Sequence, residues 1–177
     1  MTGAPAGATG ANPEPGGLTL DIADHRIEVM VTGGGRFTVP IGPVSLVAGP
    51  LEHADLPAPA QLTNALGLVH DHLDDIIIEA PSVAATPSVV ARGVHVLELA
   101  RVEIGGRAVP DGYVLDRTAA DEVFRTLALE PVEDRRHNPG LDPDHVESIV
   151  GTCCVILGVM RRLDLDRIHV ATGGPES

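Results

Sequence analysis

The sequence predicts an α/β fold: a mixed sheet with helices packed on it. Three observations carry this. Residues 18–42 alternate with period two through Leu18, Leu20 and Ile22, then Ile27, Val29 and Val31, break at Gly33-Gly34-Gly35 and resume at Phe37, Val39 and Ile41. That is the pattern of a three-stranded meander. Residues 60–78 instead place Leu62, Leu66, Val69, Leu73, Ile76 and Ile77 at spacings of three and four, the mark of an amphipathic helix. Strand-like runs then recur after helical ones, near 82–90 and at 167–172.

Taken in order, residues 1–17 (MTGAPAGATGANPEPGG) hold almost nothing apolar enough to offset the entropy of ordering them, and are expected to form a disordered, dispensable leader. One folded domain is expected over 18–177. After the meander, Pro43–Leu51 is a short apolar run, and Leu56-Pro57-Ala58-Pro59 leads into the helix at 60–78, which Pro81 stops. Ser82–Val90 reads as a loop and a buried strand closed at Arg92-Gly93. A second helix over 94–104 would turn Val94, Leu97 and either Arg101 or Ile104 to one side. Gly105-Gly106 and Pro110 make a loop, and Gly112–Leu115 a brief extended piece. Thr118 with Asp121 three residues later has the form of a capping box for a helix carrying Val123, Phe124 and Leu127. Beyond a charged segment at 131–137, Asn138-Pro139-Gly140 turns the chain. Asp142 suits a cap and Pro143 a first helical position, so the spacing predicts a helix over 144–163. Its Val146, Ile149, Val150, Cys153, Ile156, Leu157, Met160 and Leu163 leave hardly any polar face, so the helix should be central. Arg167–Thr172 reads as the last strand.

Composition excludes several functions. A formal charge of −13 opposes binding to nucleic acid or an anionic membrane, which depends on clustered cations. All 12 cationic residues are arginine. Without lysine, the chain carries no Walker-type phosphate lysine, no Schiff-base lysine and no Ser-Lys nucleophile pair. The 2 cysteines, Cys153 and Cys154, are adjacent in an apolar helical run, which suits reduced core residues rather than a redox pair or zinc clasp. There is no secretory pattern and no apolar run of about 18 residues, so a cytoplasmic, soluble protein is expected.

Several stretches share a pattern. Asp21-Ile22-Ala23-Asp24-His25-Arg26-Ile27-Glu28 sits at a strand turn, and Pro40-Ile41-Gly42-Pro43-Val44-Ser45-Leu46 follows. Farther on come Arg92-Gly93-Val94, Asp111-Gly112-Tyr113-Val114-Leu115-Asp116-Arg117, Glu133-Asp134-Arg135, Pro139-Gly140-Leu141-Asp142-Pro143 and His145-Val146-Glu147-Ser148-Ile149. Over residues 18–174 the chain thereby resembles the second half of the exopolyphosphatase / guanosine pentaphosphate phosphohydrolase (Ppx/GppA) family. That family shows D-I-G-G-G-S-x-E, P-[LI]-G-A-V-x-L, G-G-T, H-G-Y-x-L-x-R, E-x-R, P-G-L-D-P and R-A-D-x-I in this order. The resemblance implies a single lobe of the actin-like, Hsp70-like ATPase (ribonuclease H-like) fold, and the order of predicted elements agrees with it.

The resemblance also marks the phosphate-loop equivalents: Asp21, Ala23, Asp24, His25 and Arg26 in the first loop, and Arg92, Gly93 and Val94 in the second. A phosphate cradle needs consecutive inward backbone N–H groups, which glycine permits because no Cβ blocks the approach. Ala23, Asp24 and His25 stand at the three glycine positions, and Asp24 adds a carboxylate where phosphate oxygens would lie. In a partly buried site that repulsion is on the order of several kcal/mol. Arg92 and Val94 interrupt the second turn in the same way. The family's other lobe, with its second phosphate loop and water-activating glutamate, has no counterpart here. The expectation is therefore a catalytically inactive binding or regulatory domain with no catalytic residue and no cofactor. The alternative is a weak exopolyphosphatase or nucleotide phosphohydrolase, acting alone or completed by a partner chain, which would use Mg²⁺.

For a metal, Asp21 and Glu28 are the family-matched candidates; the plain reading is a strand-end aspartate and a solvated strand glutamate. His70-Asp71-His72-Leu73-Asp74-Asp75 is a rival, but on a helix His70 and His72 point apart, which favours a solvated acidic face. Asp24-His25-Arg26 reads as a polar loop, and Arg135-Arg136 and Arg161-Arg162 as solvated or snorkelling pairs. Val89, Val90, Val94 and Val96 suggest that the face left by a missing lobe stays apolar. That predicts a homodimer or a protein partner on this face, with neither nucleic acid nor membrane as partner.

Overall fold

The computed structural model describes residues 16–173, so the leader expected over 1–17 lies, through residue 15, outside the described residues. Gly16 and Gly17 already belong to the fold: the Gly17 carbonyl accepts the Thr32 N–H at 3.0 Å, and the Gly16 carbonyl accepts the Thr86 hydroxyl at 3.2 Å.

The meander forms as predicted. β1 (Leu18–Ile22) pairs antiparallel with β2 (Ile27–Val31), and β2 with β3 (Arg36–Val39). Period-two alternation sends Leu18, Leu20, Ile22, Ile27, Val29 and Val39 into the core. β4 (Val89–Arg92) lies parallel to β1, and β6 (Arg167–Val170) parallel to β4. β5 (Val114–Asp116) closes the far edge antiparallel to β6, giving a mixed six-stranded sheet ordered β3-β2-β1-β4-β6-β5.

The apolar run after the meander is a short helix, α1 (Pro43–Ala48), and the long amphipathic helix is α2 (Pro59–Glu79), ended just ahead of Pro81. A 3-10 turn at Pro81–Ala85 joins α2 to β4. α3 (Val94–Ile104) is present, with Val94, Leu97 and Ile104 together on its less buried side as expected. His95, Val96, Glu98, Leu99 and Ala100 are buried, whereas Val94 and Ile104 are exposed. Val89 and Val96, expected on an open face, are likewise fully buried.

α4 (Arg117–Ala128) follows β5 directly, with no side-chain cap. Thr118 lies inside its first turn, so the capping box is not made. The start is fixed instead by the Arg117 N–H donating to the Asp166 carbonyl at 2.8 Å, while Asp121 pairs with Arg161 at 2.5 Å. The charged segment holds one helical turn, α5 (Val132–Arg135). Its Arg135 is buried rather than solvated: Nε donates to the Leu127 carbonyl and a terminal nitrogen to the Asp55 carbonyl, both at 2.9 Å. Burial lowers the pKa of this guanidinium, which Asp55 partly offsets. Of the other paired arginines, Arg136 meets Glu133, and Arg162 meets Asp74.

The last helix begins later than predicted. Asp142 and Pro143 start only a 3-10 turn (Pro143–His145), and α6 runs Ile149–Arg162. A capping aspartate followed by proline signals a helical turn of either kind and does not specify its length. Every residue from Ile149 through Met160 is buried, so α6 is central as expected, with α1, α2, α3 and α4 packed around it. Two glycines permit the close crossings. A Cβ on Gly151 would lie 2.2 Å from the Pro43 carbonyl oxygen, and one on Gly158 2.7 Å from a Val69 methyl. Cys153 and Cys154 are free thiols in this helix, and burial pushes the Cys154 thiol up to about 12.

Candidate functional site

The predicted phosphate-loop stretches converge in space. Residues 23–26 form the turn between β1 and β2, closed by the Ala23 N–H donating to the Arg26 carbonyl at 3.0 Å. Gly42 packs closely against this turn, and Gly93 against the end of β1 that leads into it. A Cβ on Gly42 would stand 2.2 Å from the Ala23 carbonyl oxygen and 2.6 Å from that of Asp24. Gly93 has φ 117°, and a Cβ there would stand 2.5 Å from the Ile22 carbonyl oxygen. Gly93 therefore meets both demands that select glycine, a positive φ and a close backbone approach.

The turn is occupied by its own bonds. The Asp24 carbonyl accepts the Val44 and Ser45 N–H groups at the start of α1, at 3.0 and 3.4 Å. The Asp24 carboxylate lies 2.6 Å from Nε2 of His95, which is buried on the first turn of α3. His25 Nδ1 lies 3.1 Å from the Ser45 hydroxyl. The Ala23 N–H is thus spent within the turn and those of Val44 and Ser45 on the Asp24 carbonyl, and the Asp24 carboxylate adds a negative charge to the loop.

Asp21 and Glu28 are direct partners across β1 and β2, and Asp21 is also the partner of Arg92 on β4. Two carboxylates set opposite one another repel, and arginines relieve this. Arg92 pairs with Asp21 at 3.3 Å, while Glu28 accepts the Thr38 hydroxyl at 3.0 Å and has Arg26 and Arg36 at 3.7 and 4.0 Å. A Mg²⁺ ion needs near-octahedral oxygen donors with free lone pairs. Both carboxylates here face arginines, which a Mg²⁺ ion would have to displace. On the rival helix Asp74 pairs with Arg162, and the buried Nε2 of His70 has no hydrogen-bond partner.

A second polar cluster lies next to the turn, and sequence reasoning missed it. Glu98, one helical turn after His95, is 1% exposed. Arg101 donates to its Oε1 at 2.6 Å and the Asp142 N–H to its Oε2 at 2.9 Å. Asp142 itself accepts the Asp144 N–H at 2.9 Å and lies 3.6 Å from Arg107. That backbone bond, with Arg107 and neighbouring cations, holds the Asp142 carboxyl below the usual range. His145 stands edge-on to His95, with ring centroids 5.6 Å apart, and its Nδ1 is 3.9 Å from Glu98 Oε1. One signal was available: His95 and Glu98 are spaced i, i+3 among Val96, Leu99 and Ala100, so a helix burying the aliphatics on that side also buries the polar pair.

No family model and no curated protein matches the sequence. Solved structures do. The chain superposes on an exopolyphosphatase-like protein with a TM-score of 0.81 at 18% identity, covering 91% of this chain and 56% of that one. It superposes on the PPX-GPPA enzyme of Aquifex aeolicus with a TM-score of 0.76 at 18% identity, covering 89% and 54%. For an exopolyphosphatase from Cytophaga hutchinsonii the TM-score is 0.67 at 16% identity, covering 88% and 53%. The fold is therefore that of a Ppx/GppA lobe, within the actin-like ATPase fold, and the chain spans little more than half the length of these structures.

Proposed function

We propose that this chain is a non-catalytic, exopolyphosphatase-like lobe that acts as a binding or regulatory domain. The observation that carries the reading is the state of the 23–26 turn. Its Asp24 carbonyl is bonded to the start of α1, its Asp24 carboxylate to buried His95, and Gly42 packs closely against it. A phosphate in this loop would face the Asp24 carboxylate, a like charge already held by His95. The purified chain is expected to release no phosphate from polyphosphate or guanosine pentaphosphate in the presence of Mg²⁺. Turnover that scales with protein concentration would overturn the reading.

A phosphohydrolase completed by another chain is the second reading, favoured by coverage of only 56% of the exopolyphosphatase-like structure. It rests on a lobe–lobe surface, for which α3 offers exposed Val94 and Ile104 with half-buried Leu97 between them. The same stripe supports self-association, and a homodimer is the form expected in solution. Light scattering coupled to size exclusion at tens of micromolar, an order set by common weak-dimer affinities, is expected to give twice the chain mass. The Val94→Glu variant is expected to give the monomer mass. A monomer in both samples would remove the homodimer.

A further inference from the structure

We propose that Glu98, Asp142 and His145 form a binding site for a divalent transition-metal ion of the Zn²⁺ or Mn²⁺ class, seated between α3 and the turn that leads into α6. Each residue offers one donor atom, and the three atoms lie within 4.8 Å of one another. The donors sit on a fixed frame. Glu98 projects from the buried face of α3, and its Oε2 is anchored by the Asp142 N–H. Gly140, just ahead of Asp142, lies so close to α3 that a Cβ would stand 2.1 Å from the Arg101 carbonyl oxygen. Asp142 is held in turn by the Asp144 N–H.

A second observation points to a ligand. Nδ1 of His145 is shut off from solvent and has no hydrogen-bond partner, and the same is true of Nδ1 of the adjacent His95, itself 2% exposed. An unpaired buried polar atom is costly, and folded proteins avoid it. The His145 nitrogen lies 3.9 Å from the buried Glu98 carboxylate, where a cation could accept its lone pair. The donor set chooses the ion. One imidazole nitrogen with two carboxylate oxygens suits Zn²⁺ or Mn²⁺, whereas Mg²⁺ and Ca²⁺ prefer oxygen alone.

Arg101 is the competitor. Its contact with Glu98 Oε1 supplies the counter-charge that the buried carboxylate needs, and an entering ion must displace it. The side chain is 29% exposed and can turn outward. This exchange weakens the affinity without preventing binding. The bound ion would tie α3 to the start of α6, and Asp24–His95 would carry that restraint to the 23–26 turn.

The test uses the full chain, stripped with a chelator and titrated calorimetrically with Zn²⁺ under excess Mg²⁺. Saturable binding of a single ion with a higher melting temperature is expected. His145→Ala and Asp142→Asn should each weaken binding by at least about tenfold, while the double variant His70→Ala/His72→Ala should bind as the parent does. Failure of the parent to bind, undiminished binding by His145→Ala, loss of binding in the His70/His72 variant, or displacement by equimolar Mg²⁺ would overturn the proposal. Histidine ¹⁵N spectra of the parent supply a measurement that needs no variant. Zn²⁺ should move the His145 ring resonances, and a spectrum without that movement would also overturn it.

Discussion

Ile156→Asp is expected to leave no folded protein. Ile156 is fully buried at the middle of α6, within the stretch whose every side chain is enclosed. An ionised carboxylate in such a place has neither water nor a cation to meet it. Even protonated, it loses a large apolar side chain and strands a polar group, a sum of roughly 5 kcal/mol or more. Domain stability is itself only about 5–15 kcal/mol, so the native state should not survive at 37 °C. Ile156→Val removes a single methylene at the same position and should cost about 1 kcal/mol. Circular dichroism melts of both variants decide the matter: a cooperative transition in Ile156→Asp would place α6 near solvent and contradict its central position.

Gly42→Ala should produce the next largest loss. The backbone at Gly42 is extended, with φ −145°, and alanine can adopt it, so the effect is steric alone. The added Cβ would meet two backbone carbonyls, at 2.2 and 2.6 Å, and no flexible side-chain end can move aside for it. Either α1 withdraws, breaking the Val44 and Ser45 bonds to Asp24, or the turn shifts and Asp24 leaves His95. Overpacking of this kind costs about 3 kcal/mol, or roughly 6–12 °C of melting temperature for a chain of this size. Gly106→Ala is the control, because a Cβ there has nothing within 4 Å. Equal melting temperatures for the two variants would mean that the turn is not clamped by Gly42.

The parts of the fold legible in the sequence are those written in a single period. Leu18 through Val31 alternate without ambiguity, and α2 repeats at three and four, so both elements form close to their expected limits. α3 was legible as a helix but not in its orientation. Apolar residues at 94, 96, 97, 99, 100, 102 and 104 fit two faces equally, and only the tertiary contacts choose the one carrying His95 and Glu98. The loop glycines were visible as family-like motifs, but what they touch was not, since Gly42 meets Ala23 and Gly93 meets Ile22 only once the sheet has assembled. Arg135 shows the same limit from the other direction. An adjacent arginine pair reads as solvated, and nothing local says that the Leu127 and Asp55 carbonyls await one member of it.

The strand order fixes how this protein must fold. Only the β1–β2–β3 meander pairs strands joined by short turns; β5 meets β6 across the intervening helices α4 to α6, Leu18 pairs with Val89, and Val90 with His169. β5 reaches the sheet solely through β6, which is later in sequence, so the edge it forms cannot close before β6 has docked. Loop-closure entropy must be met for each of these pairings before any burial offsets it. Folding is therefore expected to be slow for the chain's size, in roughly the millisecond-to-second range of domains dominated by non-local contacts. Until β6 docks, the β4 edge stands open as a strand template, and a chain stalled at that stage would pair with another copy of itself.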